Sequence, residues 1–110
     1  MAIDHITTTR DILIAAKALI PDEEHWWRGE SGAPPECHCP LTALWAVSIS
    51  RVSHDDRAKL RGHSREVFAR AAGLDTPEST LKVAAWSDDP NRTLAEVHAA
   101  FDRAIASVSP

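Results

Sequence analysis

The last part of the chain carries its strongest folding signal, a helix start followed by a regular apolar face. Thr93-Leu94-Ala95-Glu96 matches the capping-box pattern, in which the Thr and Glu side chains each bond the other residue's backbone N–H. Residues that can pack on one helix face then recur every third or fourth position, at Leu94, Val97, His98, Phe101, Ala104, Ile105 and Val108. This pattern predicts an amphipathic helix over about residues 94–108.

Two segments in the first half of the chain also have helical spacing. The threonines at residues 7–9 offer N-caps for a first helix, which Pro21 would end. A second helix would begin at Pro40, with an apolar face of Leu41, Leu44, Trp45, Ser48, Ile49 and Val52. We therefore expect Trp45 to lie in the core.

Three more helix starts follow, at Ser53, Ser64 and Thr76. The helix from Ser64 would end at Gly73, in the left-handed conformation that glycine adopts readily, and the helix from Thr76 would continue to Trp86 in the core. No segment shows the alternation with a period of two that half-buried strands require.

These patterns predict an all-α fold, a compact single domain of about five helices with a long irregular Pro/Gly-rich loop after the first helix. The domain would span residues 1–110, with about 1–8 and 108–110 as frayed tails. A small hairpin within residues 21–39 is the alternative to a wholly irregular loop.

Composition narrows the functional classes. The chain has 16 acidic and 12 basic side chains, a formal net charge of −4, which disfavours nucleic acid as a partner because that binding relies on Lys and Arg at phosphates. No apolar run reaches the roughly 18 residues of a membrane span, so no membrane partner is expected. Cys37 and Cys39 are too close for an unstrained disulfide, which favours reduced thiols in the cytoplasm.

A longer stretch around the capping box carries a family resemblance. Residues 85–97, Ala-Trp-Ser-Asp-Asp-Pro-Asn-Arg-Thr-Leu-Ala-Glu-Val, and the following Phe101-Asp102-Arg103-Ala104-Ile105 are similar to the C-terminal signature of domain of unknown function 6197, a family of small bacterial and bacteriophage proteins. Trp26-Trp27-Arg28-Gly29 resembles its Trp-x-x-Gly motif, and residues 39–44 resemble its Cys-x-x-Gly-Ala-Leu motif. Ser87, Asn91 and Thr42 depart from the motifs.

The resemblance implies a fold and a bacterial or phage setting, and no activity comes with it. Within the signature, the sequence Asp89-Pro90-Asn91 is typical of a turn, and Asn91 tolerates left-handed geometry. Asp88, Asp89 and Arg92 could bind a cationic or hydrogen-bonding ligand, or the acids could simply cap the turn.

The irregular loop supplies the other candidate residues. Trp26, Trp27 and Arg28 lie where an indole could line a pocket or an interface, although one of the two tryptophans could instead fill the core. The loop of residues 22–39 and the turn of residues 86–92 together define a predicted ligand or partner surface, which we call the loop–turn surface.

Two chemical alternatives centre on the cysteines. Cys39 precedes a helix, where the dipole can lower a thiol pKa, so it is the candidate nucleophile of a thiol- or metal-dependent hydrolase or transferase. Cys37, Cys39, His25 and His38 are candidate ligands of a structural zinc ion, although their spacing is not that of known zinc motifs.

The favoured interpretation is a small cytoplasmic binding module without a cofactor, which recognises a protein partner or a small ligand. A phage-encoded, host-directed protein is one form of it, implied by the resemblance alone. The sequence leaves open whether the protein is a monomer or a homodimer.

Overall fold

The computed structural model describes residues 5–27, 37–74 and 80–108, and these form an all-α domain, as predicted. The helices are α1 (Thr9–Ala18), α2 (Pro40–Arg51), α3 (His54–Ala71), α4 (Thr80–Asp88) and α5 (Leu94–Ser107), with a short 3₁₀ helix at Glu23–His25. None of the helices in these residues has the length and apolar character needed to span a membrane.

The core lies where α1, α3 and α5 pack on one another, with α2 against α1 and α3, and α4 against α2 and α3. Phe68 of α3 is at its centre. Its ring meets Phe101 at a centroid distance of 4.7 Å and the edge of Trp86 at 5.7 Å. Trp86 is half-buried against this cluster, so three aromatic rings connect α3, α4 and α5.

Predicted helix ends at Thr93, Thr8 and Gly73 are present, whereas the predicted start at Thr76 lies outside the described residues. Glu96 N–H donates to the Thr93 hydroxyl at 3.2 Å, and Thr93 N–H donates to the Glu96 carboxylate at 2.9 Å, which completes the capping box. Thr8 accepts from Asp11 N–H and caps α1. Gly73 follows Ala72, the C-cap of α3, and has a φ of 82°, the left-handed conformation expected of it.

The division of α3 into two helices is wrong, because α3 continues without a break from His54 to Ala71. Ser64 does not cap a new helix. Its hydroxyl donates back to the carbonyl of Leu60 at 2.6 Å, an interaction that satisfies a serine within a helix. Ser64 therefore resembles an N-cap in sequence but lies in the interior of a continuous helix.

The placement of Trp45 in the core is also wrong. Trp45 is 51% exposed and Ile49 is 42% exposed, while Ala43 and Val47 of the same helix are buried. The apolar arc of α2 is wider than the side that packs: Leu44 and Ser48 of the predicted face are buried, while the other edge of that face turns outward.

The segments on either side of α1 are held against the body. Ile6, within the predicted N-terminal tail, is buried, and its N–H donates to the Arg51 carbonyl at 2.8 Å. After α1, Trp26 and His38 form an isolated parallel bridge, so the described parts of the 21–39 loop pair in parallel and not as a hairpin.

Candidate functional site

The two segments of the predicted loop–turn surface meet in the structure. Trp26 is only 7% exposed, and its indole N–H donates to the buried hydroxyl of Ser87 at 3.2 Å. Trp27 is half-buried, and its backbone N–H donates to the His38 carbonyl at 3.0 Å. Arg28 lies outside the described residues. Trp26 thus fills the core and joins the loop to the end of α4.

The turn between α4 and α5 is built by Asp89. Its carbonyl accepts from Arg92 N–H at 2.8 Å, and its carboxylate accepts from Asn91 N–H at 2.9 Å. Asn91 tolerates left-handed geometry but does not adopt it here, since among the described residues only Gly73 has a positive φ. A turn with Pro90 in its second position and a negative φ at its third needs no left-handed residue.

Arg92 is held by groups from both helices that flank the turn. Its guanidinium lies 4.1 Å from the centre of the Trp86 ring, a cation–π contact. Its Nε donates to the Trp86 carbonyl at 2.9 Å, and Nη1 donates to Glu96 at 3.2 Å. Hydrogen bonds from Thr93, with the charge of Arg92, lower the pKa of Glu96. Arg92 therefore fastens α5 to α4, while Asp88 beside it is half-buried.

Cys39, the candidate nucleophile, is the residue before α2. Its N–H donates to the Thr42 hydroxyl at 3.0 Å, and the same hydroxyl lies 3.7 Å from the Cys39 sulfur. Within the described residues, no histidine hydrogen-bonds this thiol. Burial lowers the pKa of the neighbouring His38, which favours its neutral imidazole.

The candidate zinc ligands are directed to other partners. His25 Nδ1 bonds Asp22 at 2.5 Å and lowers the pKa of that carboxyl, and the Cys37 thiol donates to the Glu24 carbonyl at 3.1 Å. Neither cysteine is in a disulfide. Across residues 5–27, 37–74 and 80–108, no three His, Cys, Asp or Glu side chains are grouped to hold a metal ion.

A groove between α2 and α3 is the feature that sequence reasoning missed. It has a volume of about 420 Å³ and is lined by Leu41, Thr42, Leu44, Trp45, Arg61 and Arg65. We call it the α2–α3 groove. Two signals could have indicated it: the apolar spacing 41, 45, 49 beside the buried face of α2, and the arginine spacing 57, 61, 65 on α3.

The three arginines on this side of α3 differ in the hydrogen bonds that they make. Arg57 donates to the carbonyls of Ser48, Ile49 and Val52 at 3.1–3.2 Å, and so satisfies the end of α2. In the described part of the chain, Arg61 and Arg65 make no hydrogen bond or ion pair, and the Nε of Arg65 is buried without an acceptor.

The comparisons with known proteins identify a family. Residues 5–107 match the model described as a family of unknown function, DUF6197. Neither a search of curated proteins nor a search of solved structures found a match. The match covers nearly the whole chain and includes the signature, the turn and the capping box derived above. The chain belongs to DUF6197, a family of unknown function.

Proposed function

We propose that this protein is an interaction module that binds a partner protein through the α2–α3 groove. One observation carries the proposal: Trp45 is half exposed at the groove, beside the exposed Ile49 one helix turn away. An exposed apolar strip that includes a tryptophan marks a contact surface more often than chance, because burial of its ring is among the largest contributions to protein association.

Binding is favoured over catalysis at Cys39. Activation of a thiol nucleophile by a general base requires that base within about 3 Å, and the described contacts of the Cys39 thiol come from Thr42. A structural zinc ion is the weaker alternative, because His25 and Cys37 already bond Asp22 and a backbone carbonyl.

The α2–α3 groove is favoured over the loop–turn surface because the key side chains of the loop–turn surface are already buried or paired within the protein. Trp26 is buried, Asp89 shapes its own turn, and Arg92 already binds Trp86 and Glu96. A ligand at the loop–turn surface would have to compete with these contacts. In the groove, by contrast, the indole of Trp45 still faces water.

We place this interaction in the cytoplasm, with a host protein of a phage-infected bacterium as one form of the partner. The support for a reducing compartment is the spacing of Cys37 and Cys39, which is too short for an unstrained disulfide. A second copy of the chain is the competing occupant of the groove, and size-exclusion chromatography of wild type and Trp45→Ala separates the two cases.

Selection from a random peptide-display library tests the proposal. Peptides selected on the wild-type protein should bind Trp45→Ala at least about tenfold more weakly, since a central interface tryptophan contributes about 2 kcal/mol or more. Ile14→Ala is the matched control, because Ile14 is an exposed apolar residue of α1 that does not line the groove. Selected peptides that bind Trp45→Ala as tightly as wild type would overturn the proposal.

A further inference from the structure

The α2–α3 groove has an apolar wall and a cationic wall. Leu41, Leu44 and Trp45 belong to α2, whereas Arg61 and Arg65 belong to α3. A second, smaller depression of about 210 Å³ continues along α3, lined by His54, Arg57, Ala58 and Arg61. Because Arg61 lines both depressions, the cationic wall is longer than the groove itself.

Helix geometry keeps the acidic side chains of α3 away from Arg61 and Arg65, and the acid nearest the extended wall is Asp55, 3.9 Å from His54. At 3.6 residues per turn, positions 54, 57, 61 and 65 of α3 fall within an arc of about 80°. Asp55, Asp56 and Glu66 fall outside it, on the other side of the helix. An acidic chain, with a net charge of −4, therefore presents a local strip of positive charge beside its most exposed tryptophan.

Within the described residues, the arginines of the groove have no hydrogen-bond or ion-pair partner, whereas two other arginines of α3 do. Arg70 pairs with Glu66 at 2.8 Å, and Arg57 satisfies the end of α2. Arg61 and Arg65 have no such partner in the described residues. The buried Nε of Arg65 lacks an acceptor, so turning this guanidinium toward a carboxylate breaks no hydrogen bond and relieves an unsatisfied donor.

Resting on the proposed function, we infer that the groove binds an acidic peptide segment. Its carboxylates pair with Arg61 and Arg65, which lie one helix turn apart, and a neighbouring apolar side chain packs on Trp45. Arginine suits this task because its fork of donors matches a carboxylate with two parallel hydrogen bonds. A peptide fits better than a small molecule because the apolar strip continues beyond the groove to Ile49.

Two synthetic peptides test the inference. One is a capped peptide of Leu and Glu residues, and the other has Gln in place of every Glu. Fluorescence anisotropy should show wild type binding the Glu peptide about tenfold more tightly than the Gln peptide, with the difference shrinking as salt is added. The double variant Arg61→Gln, Arg65→Gln should lose this preference. Arg70→Gln, a change at an exposed arginine of the same helix, should keep it.

The outcomes of these experiments distinguish the acidic specificity of the groove from the proposed role as an interaction module. Equal binding of both peptides, weakened by Trp45→Ala, would overturn the acidic specificity and leave the interaction module standing. Failure of wild type to bind the Glu peptide, or tighter binding of a single-stranded oligonucleotide, would also overturn the acidic specificity. The binding of peptides selected on wild type to Trp45→Ala then decides the proposed function separately. Thermal unfolding of each variant checks that it is folded.

Discussion

Two tryptophans of this protein should differ sharply in what they contribute to stability. Trp26 is 7% exposed and bonds the buried Ser87 hydroxyl, so Trp26→Ala removes a large buried ring and leaves an unpaired polar group. The first effect costs about 3–5 kcal/mol and the second about 1–3 kcal/mol. A total of about 4–8 kcal/mol approaches the whole free energy of unfolding of a small domain.

Trp45→Ala should cost much less. Trp45 is 51% exposed, so roughly 100 Å² of its surface is withdrawn from water, and its removal leaves no closed cavity. At about 25 cal/mol per Å² this area corresponds to about 2.5 kcal/mol. The net loss is at most about 2 kcal/mol, because Ala retains part of the buried area and the unfolded chain already buries some.

Urea unfolding followed by far-ultraviolet circular dichroism measures both free energies. Because Trp26→Ala could fail to fold, Trp26→Phe and Ser87→Ala form a double-mutant cycle that isolates the indole–hydroxyl bond, with an expected coupling of about 1 kcal/mol. The reasoning is refuted if Trp45→Ala is as destabilising as Trp26→Ala, or if the cycle shows no coupling.

Four further predictions concern the helix ends and α3. Thr93→Ala should lower the free energy of unfolding by about 1 kcal/mol. Hydrogen bonds lower the pKa of Glu96 in the folded protein, so the stabilisation by its carboxylate is present above the unfolded pKa and is lost as pH falls through the folded pKa. The difference in free energy of unfolding between wild type and Glu96→Gln should therefore become smaller as the pH is lowered. Arg57→Gln should cost about 1–3 kcal/mol in urea unfolding, because it leaves carbonyls at the end of α2 without their donor. Gly73→Ala should lower the free energy of unfolding by about 1–2 kcal/mol, because Gly73 has a positive φ. Gly62→Ala should raise it by up to about 1 kcal/mol, because the added carbon meets only open space within a helix. Equal effects of the two substitutions in thermal unfolding would contradict this prediction.

The features predicted correctly are those whose signals lie within one or two helical turns. The capping box at Thr93, the left-handed Gly73 and the helical spacing of α1, α2 and α5 each depend on neighbours in sequence. Local signals failed where a helix could absorb them: Ser64 resembles a start, but in the middle of α3 its hydroxyl is satisfied by the preceding turn.

The features that were missed depend on how helices pack. Spacing shows that α2 has an apolar arc, yet only its packing on α1 and α3 decides that Ala43 is buried and Trp45 is exposed. The bond from Trp26 to Ser87 joins residues 61 positions apart, beyond any local pattern. The α2–α3 groove likewise exists only after the two helices are in place.

An amide chemical-shift map tests the binding face most directly. The ¹⁵N-labelled protein is titrated with the capped Leu and Glu peptide, and shift changes are assigned along the chain. If the α2–α3 groove is the binding face, the changes will concentrate at residues 41–49 and 54–65. Changes concentrated at residues 22–27 and 86–92 instead would contradict it and return the function to the loop–turn surface.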